Sequence, residues 1–520
     1  MEEPKIRYAL GIQDFEKLRE SGSLYVDKTG LMYQLVKDKD YVFLSRPRRF
    51  GKSLFMSTLE YYFKGRRDLF AGLKIEGLER DWINYPVFRF DFSSDSYSEA
   101  EVVRNKIIRH LAKWEREYGV VAAVNLGDRL YNVLEAAFHR TGRRCVVLVD
   151  EYDKPMLDGL GDDALHNAIK EELRGFYSVF KEADRYIKFV MITGVSKFSK
   201  VTIFSGLNNI TDISMLPRYN DICGFSESEF KREFIVPVRQ YAAEHSLSED
   251  ETWELFRKNY DGYHFALPGE GIYNPYSVMN AFDEGKIKAY WYESGTPGYL
   301  PALIERSDFN LKNLDFIRCE ESDLSDISDP HRDLVPMLYQ AGYLTLAGKD
   351  QDSSEYTLRF PNDEVRAAFW KSLSKFFFTK KGNYDFDQRS FIDDVNSGRV
   401  DDFMLRLKSL LADTPVSAKT DKEVYFQNMI RTIAKMLGLK VQTEVHSSQG
   451  RCDMHLETSG YVYIFEFKIN STPEKALEQI KEKGYAEPYG SDRRRILLIG
   501  ANFSTKKLLL TGWITEEVFS

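Results

Sequence analysis

Two groups of residues in this sequence have the types and spacing to do chemistry. The first begins with Ser45-Arg-Pro-Arg-Arg-Phe-Gly-Lys-Ser53, a charged turn closing on Gly51-Lys52-Ser53. Where a strand leads through such a turn into a helix, the helix-start N–H groups hold phosphate, a lysine reaches the β/γ-phosphates and a hydroxyl binds Mg²⁺. Lys52 and Ser53 are the candidates for those two tasks. The glycine that usually opens the loop is replaced by Arg46, and Gly-Lys-Ser alone also fits a charged β–α turn with a helix-starting serine. Further on, Val146-Val-Leu-Val149 runs into Asp150-Glu151. Asp150 at that strand end would hold Mg²⁺, directly or through water, and Glu151 would orient or activate the attacking water. A buried strand ending in a solvated acidic turn is the plain alternative. Both elements together, in this order and each at a strand end, favour a nucleoside triphosphate site. The resulting nucleotide set is Arg46, Arg48, Arg49, Phe50, Gly51, Lys52, Ser53, Leu54, Asp150 and Ser196; Thr193 or Ser196 would sense the γ-phosphate from the next strand end, or simply form a polar turn after it.

The second group is Asp453 with Glu466-Phe-Lys468. Strand parity places Glu466 and Lys468 on one face. If Ser459-Gly460 is a two-residue hairpin turn, Thr458 pairs with Tyr461 and, counting back, Asp453 with Glu466. Directly opposed residues have Cβ atoms about 4.5–5.5 Å apart. Two carboxylates that close repel unless something compensates, and a divalent cation does so. Mg²⁺ or Mn²⁺ there would generate a nucleophile and stabilise charge developing on phosphate, with Lys468 orienting or activating the water. Glu423 on a preceding predicted helix is a further candidate ligand, or a first-turn glutamate favoured by the helix dipole. Glu-x-Lys on a solvated strand face is common by itself; Asp453 across the hairpin and the flanking helices favour the metal reading. Lys475, Lys481, Lys483, Arg493, Arg494, Arg495, Lys506 and Lys507 offer positive charge for DNA or RNA, or a plain solvated surface. His264, His446 and His455 read as packed residues before ligands, and no Ser/His/Asp or Cys/His arrangement stands out.

Several elements must position these groups. Apolar runs predict strands at Tyr41–Leu44, Val87–Phe92, Cys145–Val149 and Ile187–Thr193, alternating with helices at Lys52–Tyr62, Arg104–Gly119 and Asn125–Thr141. That alternation predicts a mainly parallel sheet with helices on its faces, whose ligands bind at the carboxyl ends of the strands. Helices at Ser226–Tyr241 and Glu249–Tyr260 and small β elements follow, then a helical stretch at Phe391–Ala412. The last domain reads as a helix at Glu423–Leu437, strands at Arg451–Glu457 and Tyr461–Ile469, a helix at Pro473–Lys483 and a final strand at Arg494–Ile499.

The chain has 520 residues, 43% of them hydrophobic, and a net charge of −8. It is long enough for about three domains, and any nucleic-acid contact must use a local basic patch or a metal. Four scattered cysteines form no CxxC pair, against a zinc site or a disulfide framework. The start lacks a basic region followed by an apolar stretch, and no run approaches the ~18 apolar residues of a membrane span; a cytoplasmic setting without membrane is expected, with an oligomer left open.

Tyr25-Val-Asp-Lys-Thr29, Arg46-Pro-Arg-Arg-Phe-Gly-Lys-Ser53, Asp150-Glu-Tyr-Asp153 and Thr193-Gly-Val-Ser196 together resemble the bacterial AAA-ATPase-like family. Tyr260-Asp-Gly-Tyr263, Tyr273-Asn-Pro275 and Tyr339-Gln-Ala-Gly-Tyr343 extend the likeness over most of the first 375 residues. It implies ATP binding and slow hydrolysis tied to a conformational switch, and an arginine-rich loop without its first glycine is usual there. It also suggests that Asp27-Lys28-Thr29 lies near the nucleotide; the alternative is a turn in which Asp27 or Thr29 caps a helix. Over about residues 420–510, Gly450-Arg-Cys-Asp453 and Glu466-Phe-Lys468 resemble the PD-(D/E)XK nuclease superfamily, and Gln479 and Tyr485 resemble a Gln/Tyr pair of some branches. The combined expectation is an α/β chain: a P-loop ATPase domain (1–222), a mostly helical middle or lid domain (223–380) and a nuclease-like domain with leading helices (381–520). Glu151, Asp453, Glu466 and Lys468 are the candidate catalytic residues. Ser53, Asp150, Asp453, Glu466 and Glu423 are the candidate Mg²⁺ ligands, with Mn²⁺ as an option at the second site. The expected function is an ATP-binding protein coupled to a metal-dependent nuclease; the alternative is an ATP-driven switch whose nuclease fold binds nucleic acid or protein without cutting.

Overall fold

The computed structural model describes residues 6–160, 162–197, 209–295, 314, 316–324, 334–350, 352–378, 388–412, 440–442, 445–447, 450–490, 492–504 and 509–518. Nearly all described residues up to Arg366 form one compact unit, and those from Ala367 onward belong to a second. The expected domain 1–222 and the part of the expected domain 223–380 up to Arg366 therefore pack largely within a single unit.

The first unit is built on five parallel strands, β1 (Tyr41–Ser45), β2 (Val87–Asp91), β3 (Cys145–Asp150), β4 (Ile187–Gly194) and β5 (Thr211–Asp212), in the order β2-β3-β4-β1-β5. The inner strands β1, β3 and β4 read as nearly unbroken apolar runs because helices cover both faces of a parallel sheet. β2 lies at the edge and alternates instead: Phe88 and Phe90 are buried, while Val87, Arg89 and Asp91 are half-buried. The register sets Asp91 beside Asp150 and Ser45 beside Gly194, so the carboxyl ends of the strands lie side by side. Helices Ala100–Tyr118 and Leu126–Thr141 link β2 to β3, each stopped by a left-handed glycine, Gly119 and Gly142.

The helix expected at Ser226–Tyr241 is two helices. β6 (Phe225–Ser226) leads into Glu227–Glu233, opened by a capping box of Ser226 and Glu229, and a second helix, Ile235–His245, starts afresh. Pro237, in the first turn of that second helix, supplies no N–H and its ring would clash with a continuous preceding turn. Glu249–Tyr260 forms as expected, with Ser248 and Glu251 as its capping box. β7 (Ile272–Tyr273) pairs with β6, and β8 (Ile317–Cys319), β9 (Thr345–Lys349) and β10 (Tyr356–Arg359) make a small antiparallel sheet. Phe230, Phe234, Phe256, Tyr260 and Tyr273 form an aromatic core beneath these helices.

In the second unit the stretch expected as one helix over Phe391–Ala412 breaks into Gln388–Asn396 and Val400–Ala412 at Gly398, whose φ is 72°. Buried Asp394 ties the break by accepting hydrogen bonds from Arg399 and Arg406. The sheet runs β11 (Lys440–Gln442), β14 (Met454–Glu457), β15 (Tyr461–Ile469), β16 (Arg495–Ser504) and β17 (Leu509–Val518), with a hairpin of β12 (Val445–Ser447) and β13 (Gly450–Cys452) beside it. The helix Pro473–Glu482 crosses from β15 to its parallel neighbour β16. Two expectations are corrected. Arg451–Glu457 is not one strand but two, broken at Asp453. The strand expected last, Arg494–Ile499, is the longer β16, and β17 follows it; β17 mixes apolar and polar residues as an edge strand does, and so carries no continuous apolar signal. The expected helix Glu423–Leu437, and with it Glu423, lies outside the described residues.

Candidate nucleotide and carboxylate sites

Between β1 and the helix Lys52–Phe63 the loop bends through two left-handed residues, Arg49 (φ 69°) and Gly51 (φ 92°). Such a turn aims successive N–H groups into one concavity. Lys52 is buried and donates to the carbonyls of Arg46 (2.9 Å) and Pro47 (3.0 Å), which curls the loop around its own ammonium. Burial lowers the Lys52 pKa. The loop opens on a cavity of about 450 Å³ lined by Arg48, Arg49, Phe50, Gly51, Lys52, Ser53 and Leu54 at one end, with Glu151 and Lys154 beside them, and by Ile12, Leu24, Val26, Tyr276 and Met279 elsewhere. A basic end next to an apolar end matches a ligand with phosphates at one side and an aromatic base at the other.

Three residues of the expected nucleotide set do not line the cavity: Arg46, Ser196 and the buried Asp150. Arg46 is 1% exposed; its guanidinium donates to the carbonyls of Ser45, Ser214 and Tyr219 at 2.8–2.9 Å and lies 4.1 Å over the Phe265 ring. Its hydrogen bonds are committed to the scaffold, and it does not line the cavity. An arginine at the usual glycine position thus acts as a staple beneath the loop. Ser196 is buried behind Asp153, to which its N–H donates, and is likewise absent from the cavity wall. The phenyl ring of Phe50 packs edge-on against Tyr263 and Phe265.

The loop is also held from the middle region. The Trp291 indole donates to the Arg48 carbonyl at 3.2 Å. Gly342 has a φ of 90°, and a Cβ there would stand 2.6 Å from Pro47. Neither Asp27 nor Thr29 is the N-cap of the helix Thr29–Asp38, which is Lys28; Asp27 accepts from the Thr29 N–H (2.8 Å) and hydroxyl (2.6 Å), while Lys28 lines the cavity and pairs with Glu229.

At the end of β3, Asp150 is buried, with Oδ1 accepting from the Thr193 hydroxyl (2.8 Å) and Oδ2 facing Arg89 (3.3 Å). Glu151 takes a left-handed φ of 52° that turns its carboxylate into the cavity wall. Burial raises its pKa, with Lys52 opposing the rise. Asp153 is buried and accepts from the N–H groups of Val195 and Ser196. Sequence reasoning missed Arg89, although the alternation of β2 places it on the same side of the strand as Asp91, which pairs with Asp150.

In the second unit the hairpin register is the one counted from Ser459-Gly460. Glu457 pairs with Val462 and Met454 with Phe465, which carries Asp453 to Glu466. Asp453, at the break between β13 and β14, accepts from the Phe467 N–H at 2.9 Å in place of a ladder bond. Glu466 is 3% exposed. Its Oε1 accepts from Lys468 (3.3 Å) and from the Gln479 amide, and Gln479 in turn accepts from Lys468. Its Oε2 is buried with no hydrogen-bond partner. Burial first and the Asp453 charge second push the Glu466 pKa up to about 7. A bare buried carboxylate oxygen beside a second carboxylate is a costly arrangement that a divalent cation relieves. Among the described residues no set of three metal-ligating groups assembles.

Gln479 therefore stands at the carboxylates, whereas Tyr485 is buried in the core with Val462, Ile464 and Ile480. His455 is buried and bonded through Nδ1 to the Tyr489 hydroxyl at 3.0 Å; burial lowers its pKa to about 4. His264 is packed, with its ring against the Gly262 carbonyl. Of the proposed basic patch, Arg494 pairs with Asp492 and Glu457, Arg495 with Glu517 and Lys481 with Glu516. Lys506, Lys507 and the His446 side chain lie outside the described residues.

The model of the family described as "Predicted AAA-ATPase" matches residues 9–204, and that of the "PD-(D/E)XK nuclease superfamily" matches residues 421–513. The chain is also 34% identical over 521 residues, 98% of each chain, to a protein of Azotobacter chroococcum mcd 1 described as "Uncharacterized protein in vnfD 5'region". The chain belongs to the AAA-ATPase-like family with a PD-(D/E)XK nuclease superfamily domain. Both matched domains come from groups that generally use nucleotide and divalent metal. The AAA-ATPase-like match spans Lys52, Ser53, Arg89, Asp150 and Glu151, and the nuclease-superfamily match spans Asp453, Glu466, Lys468 and Gln479. No described helix is long and apolar enough to cross a membrane.

Proposed function

We propose that this chain binds and hydrolyses ATP in its first unit and cleaves DNA or RNA phosphodiesters with Mg²⁺ or Mn²⁺ in its second. The observation that carries the nuclease half is the unpartnered Oε2 of Glu466 across the hairpin from Asp453. With a cation on these two carboxylates, Lys468 orients the attacking water, and Gln479 keeps Glu466 and Lys468 in register. The bound metal supplies Lewis acidity toward the phosphate and a nucleophile at neutral pH.

In the first unit Lys52 leaves the Arg46 and Pro47 carbonyls for the β/γ-phosphates. Ser53 and Asp150 hold the cation, Arg48 and Arg49 neutralise phosphate charge, and Glu151 accepts the proton of the attacking water. We assign the ATPase role to 1–222, a lid role to 223–380 and the nuclease role to 381–520. The buried thiols of Cys145, Cys223 and Cys319 suit a reducing, cytoplasmic setting.

A second reading, nucleic-acid or protein binding without cutting, draws on the ion-paired state of Arg494, Arg495 and Lys481, which leaves less free positive charge for a strand. Labelled single- and double-stranded DNA and RNA, incubated with the full chain and Mn²⁺ with or without ATP, separate the two. Cleavage that disappears in Asp453→Ala supports the nuclease. Binding with no cleavage in either protein supports the second reading.

A further inference from the structure

The Arg89 guanidinium stands beside both residues assigned above to the nucleotide's cation. It lies 3.3 Å from Asp150 Oδ2, 3.2 Å from Glu60 Oε2 and 3.5 Å from the Ser53 carbonyl. Its remaining donor, Nε, is buried without a partner. Arg89 thus touches both residues assigned to the cation, Ser53 from the phosphate loop and Asp150 from β3, while it is anchored on Glu60 two turns along the helix. Asp150 Oδ1 already accepts from the Thr193 hydroxyl, and Oδ2, the less occupied oxygen for an arriving cation or its water, faces the guanidinium.

We propose that Arg89 is a positioning residue, the resident counter-charge of Asp150. It keeps the buried carboxylate aimed before nucleotide arrives, and it competes with the divalent cation of the incoming nucleotide. The physical basis is electrostatic: two cations a few ångströms from one carboxylate in a water-poor site repel strongly. The free cation concentration that half-saturates the nucleotide complex is therefore higher than Asp150 and Ser53 alone would set. A planar fork reaching three oxygens is a task for arginine, which lysine performs incompletely. This inference rests on the reading of the first unit as a nucleotide site.

The test is a titration of the full chain with Mn²⁺ at saturating non-hydrolysable ATP analogue, followed by the electron paramagnetic resonance signal of free Mn²⁺ and by thermal unfolding. Neither readout needs turnover. The expected half-saturating Mn²⁺ concentration falls in the order wild type, Arg89→Lys, Arg89→Met, with at least a fivefold drop in Arg89→Met. With the second-unit cation site removed by Glu466→Ala in both backgrounds, Arg89→Met is also expected to gain a Mn²⁺-dependent stabilisation without nucleotide that the Arg89 chain lacks. An unchanged or raised half-saturation in both variants overturns the inference while leaving the nucleotide reading intact. Absence of any Mn²⁺–nucleotide complex in the wild type overturns both. If Arg89→Met does not fold, the wild type and Arg89→Lys decide between them: a lower value in Arg89→Lys supports the proposal, and an equal or higher one overturns it.

Discussion

The two ends of this chain both set acidic side chains at the tips of strands, and they treat them in opposite ways. At the end of β3 every carboxylate is answered: Asp150 by Thr193 and Arg89, Asp153 by two backbone N–H groups, Glu151 by the nearby charge of Lys52. Arg48, Arg49 and the start of the helix Lys52–Phe63 line the cavity beside them, which on the proposed reading suits an anion. At the hairpin of β14 and β15 the reverse holds. Glu466 keeps one buried oxygen bare beside Asp453, and its pKa climbs to about 7. On the proposed reading that site takes a cation. The lesson is that acidic residues at a strand tip say little until their partners are known.

The largest effect that would sharpen this contrast is at Lys52. Its removal deletes the charge-assisted hydrogen bonds to phosphate, and Lys52→Ala is expected to weaken ATP binding on the order of 100-fold. Calorimetric titration checks this, and Mn²⁺ binding at the second unit should be unchanged. Next is Arg46. Arg46→Met strands three buried carbonyls beneath the loop, and a loss of about 2–4 kcal/mol is expected in denaturant unfolding of the first unit. A Kd for ATP that worsens without any stability loss would show instead that Arg46 touches nucleotide.

Glu466 gives the carboxylate end a pH signature of its own. Its folded pKa, about 7, is raised above the ordinary glutamate value of about 4.3. The folded state then binds more protons than the unfolded state between these values, so metal-free stability falls as pH rises from about 4 to about 7 and levels off above. The span is on the order of 3 kcal/mol, and Glu466→Gln should flatten it in unfolding measured across pH. Cation affinity should rise over the same interval, since binding requires loss of that proton. The smallest effect is at Tyr489→Phe, which removes the partner of a neutral buried imidazole, His455, and should cost about 1 kcal/mol with little change in metal affinity.

Much of this was legible from the sequence. The parallel sheet followed from apolar runs alternating with helical spacing, and the hairpin register followed from one two-residue turn. What local sequence could not carry was the use of side chains by distant backbone. Arg46 sits inside the loop motif, yet its partners Ser214 and Tyr219 are brought to it only by the packing of the fold. Arg89 reads as one polar residue on an edge strand until β2 pairs with β3. Tyr485 looked like half of a polar pair, but its ring completes the apolar face of the helix Pro473–Glu482. β17 was missed because an edge strand needs only half its residues to be apolar.

The central claim is that the chain holds divalent cation at two separate places, one needing nucleotide and one not. Counting Mn²⁺ bound per chain tests it most directly. The account predicts one ion without ATP and two with it, the first lost in Glu466→Ala and the second in Lys52→Ala. Loss of both ions in either single variant, or no ion at all in the absence of ATP, would contradict it.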